Sequence, residues 1–154
     1  MELKNKDTKE IKIDGSKLKI AIVLPYFNEK LGLEMYENAK AELLKNKVKE
    51  ENIKLVRVSG ALEIPFACKK IVTNKKVDAI IALGVIIKGE TSHYDLVCKN
   101  TYEGIMKVQL ETHVPISFGI LTCETKKQAE NRTCKDGLNK GKQATQAALI
   151  QTTL

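Results

Sequence analysis

The stretch Val77-Asp78-Ala79-Ile80-Ile81-Ala82-Leu83-Gly84, continued by Val85-Ile86-Ile87-Lys88-Gly89-Glu90-Thr91-Ser92-His93-Tyr94-Asp95, sets the reading of the whole chain. Val77 to Gly84 is a nearly unbroken apolar run of strand length, the pattern of a strand buried on both faces of a parallel sheet. Beyond the loop, Val97, Ile105, Met106 and Leu110 recur at helical spacing, which predicts a helix from Val97 to Glu111. Strand, polar loop and helix in that order put the loop at the carboxyl edge of the sheet, where open α/β folds bind ligands. The loop brings Gly, Thr and His to the start of a helix, whose free N–H groups and positive dipole end suit a phosphate. An imidazole there can gain and lose a proton near neutral pH. A loop His is equally at home as a solvated surface group, so the loop alone leaves catalysis open.

Working outward, the same strand-then-helix rhythm repeats. Strands are expected at Leu18–Leu24, Ile53–Val58, Val77–Gly84 and Pro115–Leu121. Helices are expected at Leu31–Lys47, Ile64–Thr73 and Val97–Glu111, followed by a helical region from Thr125 that Gly137 interrupts and that resumes from about Asn139 to Gln151. Four parallel strands with helices on both faces make a three-layer α/β/α sandwich, flavodoxin-like in class. The chain divides into an N-terminal tail and edge segment, residues 1–14, and one α/β domain, residues 15–154. Within the tail, Ile11-Lys12-Ile13 alternates like a short strand, too short to be stable alone and suited to adding to a sheet edge in this subunit or in a neighbour, the neighbour's sheet being the reading adopted.

Composition narrows the function classes. A chain of 154 residues with 43% hydrophobic content can bury one good core. No apolar run approaches the ~18 residues of a membrane span. The start, Met1 to Glu10, is charged and mixed in sign, unlike a signal or transit sequence, so a cytoplasmic protein is expected. Cys68, Cys98, Cys123 and Cys134 stand without a C-x-x-C pair or a His at ligand spacing, which argues against zinc and against a disulfide framework. They are expected reduced and mostly buried. The net charge of +7 comes from lysines spread over the whole chain without an RNA-binding aromatic motif, a solvated basic surface rather than a nucleic-acid site. Among 26 basic residues only Arg57 and Arg132 are arginine. Arg57 alternates with apolar residues as an outward strand position would. Arg132 suits a planar, two-pronged grip on phosphate or carboxylate, which lysine cannot supply.

The segments after the four strands are Pro25-Tyr26-Phe27-Asn28, Ser59-Gly60-Ala61-Leu62-Glu63-Ile64-Pro65, the His93 loop and Thr122-Cys123-Glu124-Thr125, all expected on one edge of the sheet. Each candidate has a plain alternative. Phe27 fits a core plug as well as a stacking surface. Glu63 fits a cap on the helix near Ile64, and Thr91 an N-cap on the helix after His93. Asp95 fits either a cap or an orienting partner for the imidazole. His113, before Pro115, reads as a C-terminal cap, and Tyr36 and Tyr102 read as packing residues.

Taken together, Phe27-Asn28, Gly60-Ala61-Leu62-Glu63-Ile64-Pro65, Ala82-Leu83-Gly84-Val85-Ile86, Gly89-Glu90-Thr91-Ser92-His93-Tyr94-Asp95, Phe118-Gly119 and Asn139-Lys140-Gly141 closely resemble the 6,7-dimethyl-8-ribityllumazine synthases, from about Leu18 to the C-terminus. The resemblance implies the penultimate step of riboflavin synthesis, with neither metal nor organic cofactor. It implies that Phe27 stacks on the pyrimidine of 5-amino-6-(D-ribitylamino)uracil, that Ala61, Leu62 and Glu63 hold its ribityl chain, and that the backbone of Val85, Ile86 and Ile87 meets its polar ring edge. Glu90 and Thr91 would meet the phosphate of 3,4-dihydroxy-2-butanone 4-phosphate, and His93 would shuttle protons. Phe118, Arg132 and Lys140 would complete the pocket of the adjacent subunit in a pentamer, some family members closing twelve pentamers into an icosahedral shell. The segment Arg132 to Gly141 lacks the insertion found in forms that stop at pentamers.

The chain departs from the family pattern in places. Tyr26 stands where Arg is usual, Ser59 and Leu62 where Pro and an aromatic residue are common, and Gln143 where Glu is frequent. Two other classes share the scaffold: an archaeal-type riboflavin synthase, which the His93 loop matches less well, and a noncatalytic flavin-binding or shell-forming protein, which intact His93 and Arg132 disfavour.

Overall fold

A computed structural model describes residues 10–74 and 76–154; the tail expected over residues 1–9 lies outside them. Four strands, β1 (Ile20–Pro25), β2 (Ile53–Val58), β3 (Ala79–Ile87) and β4 (Ile116–Cys123), pair in parallel in the order β2-β1-β3-β4. The helices are α1 (Glu29–Lys45), α2 (Ile64–Asn74), α3 (His93–Thr112), α4 (Lys126–Thr133) and α5 (Lys140–Gln151). The expected three-layer, flavodoxin-like sandwich is what forms.

Two apolar clusters, one on each face of the sheet, hold the layers. Ile20, Ile22 and Leu24 of β1 face α1 and α5, meeting Met35, Ala39, Leu43, Ala148 and Leu149. Ala21 and Val23 point the other way, toward Ile64, Cys68 and Ile71 of α2 and Val97, Ile105 and Val108 of α3. This alternation of side chains on a doubly covered strand is why the strands read as continuous apolar runs rather than as apolar-polar alternation. The chain passes from β1 outward to β2, then crosses back past β1 to β3. The change of direction between β1 and β3 leaves a crevice at their carboxyl ends, the position where such sheets take ligands.

Two expected boundaries shift. β3 runs on past Gly84 to Ile87 because its ladder with β4 continues to Ile87–Cys123. Helix α3 starts at His93 rather than Val97, and its buried stripe is Val97, Thr101, Ile105 and Val108, leaving Met106 and Leu110 exposed. His113 ends it as expected, in the left-handed region with its N–H donating to Gln109 O at 3.0 Å. The region after Thr125 splits around Gly137 as expected, and Thr125 opens α4 with a reciprocal capping box to Gln128.

Residues 11–13 are in no strand within this chain. They lie along the end of α1, where the Ile13 N–H donates to Asn46 Oδ1 at 2.9 Å, Ile13 packs on the core and Glu10 pairs with Lys45. None of the four cysteines is in a disulfide among the described residues; Cys68 and Cys123 are buried and Cys98 and Cys134 partly so. Burial pushes the Cys68 thiol up to about 12. No helix among the described residues is long and apolar enough to cross a membrane.

Candidate functional site

The crevice between β1 and β3 opens into a cavity of about 510 Å³. Phe27 and Asn28 reach it from the β1–α1 turn, and Ala61, Leu62 and Glu63 from a single 3-10 turn between β2 and α2. Val85, Ile86 and Ile87 line it from the end of β3, and Thr91 and His93 from the loop and first residue of α3.

Local chemistry explains why these segments meet. Tyr26 and Phe27 donate backbone N–H bonds to Val58 O at 2.7 Å and Ser59 O at 3.2 Å, tying the β1–α1 turn to the end of β2. Asn28 then turns the chain in the left-handed region (φ 56°), a conformation Asn tolerates better than most residues. Its Nδ2 donates to Val85 O at 2.7 Å, fastening the turn to β3 on the other side. Phe27 is left 73% exposed over the cavity, so it is not a core plug. The Glu63 carboxylate folds back over Gly60, where a Cβ would lie 3.1 Å from Oε2. Thr91 Oγ1 accepts the His93 N–H at 3.3 Å, while Ser92, rather than Thr91, holds the N-cap position. Glu90 sits in the same loop, exposed and outside the cavity lining.

A second cavity, of about 490 Å³, lies over β4 between α3, α4 and α5. It gathers Phe118, Arg132 and Lys140 together with Tyr102, Gln128 and Gln143. Tyr102 packs its ring on Phe118, centroids 5.2 Å apart, and donates its hydroxyl to Ile120 O at 2.7 Å. Tyr102 is thus a packing residue that also faces the cavity. Arg132 Nη1 donates to the Gln128 carbonyl at 2.9 Å, which lays its guanidinium along α4. Lys140 Nζ donates to Gln143 Oε1 at 3.1 Å, and Gln143 Nε2 donates to Leu138 O at 3.3 Å. A Glu at 143 would accept the first bond and could not make the second.

Tyr94 lines the first cavity and Thr122 the second. Burial raises the Tyr94 phenol, Cys98 adding to the rise and Thr122 opposing it. The Cys98 thiol is raised by burial too, with Tyr94 working against it. Thiols raised in this way stay protonated and are poor nucleophiles at neutral pH. Among the described residues no group of three or more His, Cys, Asp or Glu side chains is placed to hold a metal ion.

A family model described as 6,7-dimethyl-8-ribityllumazine synthase matches residues 17–154, nearly all of the chain. The chain belongs to the 6,7-dimethyl-8-ribityllumazine synthase family. A relative from Kosmotoga olearia that carries the same name is 45% identical over 140 residues, covering 91% of this chain and 90% of the relative.

Seen as a lumazine synthase family chain, the molecule divides the expected site residues, all but Glu90, between two cavities. Phe27, Ala61, Leu62, Glu63, Val85, Ile86, Ile87, Thr91 and His93 share one, and Phe118, Arg132 and Lys140 share the other. The structure also corrects one expectation and adds one residue. Arg57 is not the outward strand residue that its alternation suggested: its side chain is 18% exposed and bonds to the end of β1. Asn28, quoted only as part of a motif, ties the Phe27 turn to β3. A polar Asn between an exposed aromatic and a helix start is the signal that marks it, since Asn favours single left-handed positions.

Proposed function

We propose that the chain condenses 5-amino-6-(D-ribitylamino)uracil with 3,4-dihydroxy-2-butanone 4-phosphate to 6,7-dimethyl-8-ribityllumazine, in sites shared between neighbouring copies. The observation that carries this is the division of the expected site residues other than Glu90 into two separate cavities on one chain. Head-to-tail packing would set the second cavity of one copy against the first cavity of the next, and such heterologous contacts close into rings. The reading extends to a ring of five and, with the short α4–α5 connection, to an icosahedral shell of pentamers. Phe66, Leu96, Met106 and Leu110 expose apolar surface on α2 and α3, which suits burial against other copies. The Ile11 to Ile13 segment would add to a neighbour's sheet edge, leaving residues 15–154 as the catalytic domain of a cytoplasmic enzyme.

In this arrangement Phe27 stacks on the pyrimidine, Ala61 to Glu63 hold the ribityl hydroxyls and the β3 backbone from Val85 to Ile87 meets the ring edge. Thr91 and the amides at Glu90 and Thr91, near the positive end of α3, receive the phosphate with Arg132 of the adjoining copy. The primary reaction is condensation of the amine with the ketone to an imine, releasing water. Phosphate then leaves, and the second amine closes the ring with loss of a further water. His93 moves protons in these steps, and Arg132 and Thr91 neutralise the departing phosphate. Much of the rate comes from holding two small reactants in register. Neither a metal nor an organic cofactor has a role in this sequence of steps.

Appearance of the lumazine chromophore on mixing protein with both substrates tests the assignment. His93→Ala is expected to lower kcat by about 10²-fold or more while leaving residual turnover. Arg132→Ala is expected to raise KM mainly for the butanone phosphate. Unchanged kinetics in both variants would overturn the roles.

A further inference from the structure

We propose that Arg57, on the edge strand β2 and outside the cavity lining, is a positioning residue that aims Phe27 at the pyrimidine substrate. The inference rests on the reading of Phe27 given above. Phe27 is mostly exposed, so its direction is set by the backbone of its turn rather than by packing. One side of that turn is held by Asn28 on Val85 O. The other side is held by the Tyr26 and Phe27 N–H bonds to Val58 O and Ser59 O, and by Arg57. Its Nε donates to Leu24 O at 3.1 Å and its Nη2 to Pro25 O at 3.3 Å, at the point where the β1–β3 ladder has ended at Val23–Ala82. The same guanidinium lies 4.1 Å from the centroid of the Tyr26 ring, with Glu29 Oε2 3.9 Å from Nη2. Tyr26 is itself 55% exposed, so this cation–π stack is what orders it.

Arg57 thus grips residues 24, 25 and 26 in succession, immediately before Phe27. Only a planar fork serves two carbonyls and an aromatic face at once, and a lysine ammonium cannot. The chain has only two arginines among its 26 basic residues, and this demand accounts for one of them. Tyr26, where the family usually has Arg, belongs to the same device: the cation comes from β2 and the ring from β1.

The test is a double-mutant cycle on the assembled enzyme, with KM for each substrate, kcat and the urea unfolding midpoint recorded for every variant. Arg57→Gln and Arg57→Lys are each expected to raise KM for the ribitylaminouracil roughly 5- to 20-fold, with KM for the butanone phosphate within about twofold of wild type. Phe27→Ala is expected to weaken the same substrate, and adding Arg57→Gln to it is expected to cost little more, because both changes remove one contact. Wild-type behaviour in Arg57→Lys, equal losses for both substrates, or full additivity with Phe27→Ala would overturn the proposal while leaving the site reading intact. An unchanged KM in Phe27→Ala would overturn both. If Arg57→Gln does not assemble, Tyr26→Leu removes the stack alone, and the same selective loss is expected; its absence would overturn the proposal.

Discussion

Replacing Gly141 with alanine drives a methyl group into the backbone of a neighbouring helix. A Cβ at this position would overlap the Met35 carbonyl oxygen and come within 3.2 Å of Met35 C and Cα. These are backbone atoms of α1 and cannot swing aside as a flexible side chain would. Restoring ordinary carbon contacts at about 3.5–4 Å requires α1 and α5 to part by on the order of 1 Å. Overpacking of this size costs about 1–3 kcal/mol. Alanine recovers up to about 0.5–1 kcal/mol over glycine in a helix interior, and less here, because Gly141 is only the second residue of α5. The separation would also stretch the buried bond from Thr145 Oγ1 to Ala39 O, 3.5 Å long as it stands. The expected net loss is about 1–2 kcal/mol, which at this chain length lowers the unfolding temperature by about 2–8 °C. Urea unfolding at matched protein concentration measures it. Gly89→Ala is the control: nothing lies within 4 Å of a Cβ at Gly89, so stability should change by less than about 0.5 kcal/mol. A Gly141→Ala protein as stable as wild type, or a Gly89→Ala protein equally destabilised, would refute the reasoning.

Asn139, N-cap of α5 at φ 45°, accepts the Lys142 N–H at 3.2 Å. Asn139→Ala should cost about 1–2 kcal/mol in the same urea assay and Asn139→Gly markedly less; equal losses would contradict the cap. The Cys68 thiol, held up to about 12 against an ordinary 9.0 by burial, makes a signed prediction about pH. The unfolded chain ionises first, so the stability Cys68 provides is complete below about pH 9 and is lost as pH rises toward about 12. Cys68→Ala should therefore flatten the alkaline fall in the unfolding midpoint, and an identical fall in both proteins would refute it.

The fold was legible because its signals are local. Ile80 to Leu83 announce a doubly buried strand by composition alone, and Gly137 and Thr125 punctuate the last helices in the way such residues do. The errors fall where a local signal meets a non-local one. Gly84 reads as a strand end, but pairing with β4 carries the strand to Ile87. His93, Tyr94 and Asp95 hide the first turn of α3, since the apolar stripe begins only at Val97. Arg57 looks outward in sequence because alternation cannot tell an edge strand's outer rim from a site beside two carbonyls. The division of the site could not be read from spacing, because the side on which Phe118 and Arg132 fall depends on the order β2-β1-β3-β4; only the motif resemblance, which assigns Phe118, Arg132 and Lys140 to the adjacent subunit's pocket, anticipated it. Both their candidacy and their expected place in a neighbour's pocket came from motif resemblance, and within the chain the topology sets them in a cavity apart from Phe27.

Mixing two crippled variants tests the shared site most directly. His93→Ala damages the first cavity and Arg132→Ala the second. If each active site joins one cavity from each of two neighbours, equal amounts unfolded together and reassembled should give intact pairs at about one quarter of the sites. The lumazine-forming rate of the mixture is then expected to rise well above that of either variant treated alone. A mixture no more active than the average of its two components would contradict the account.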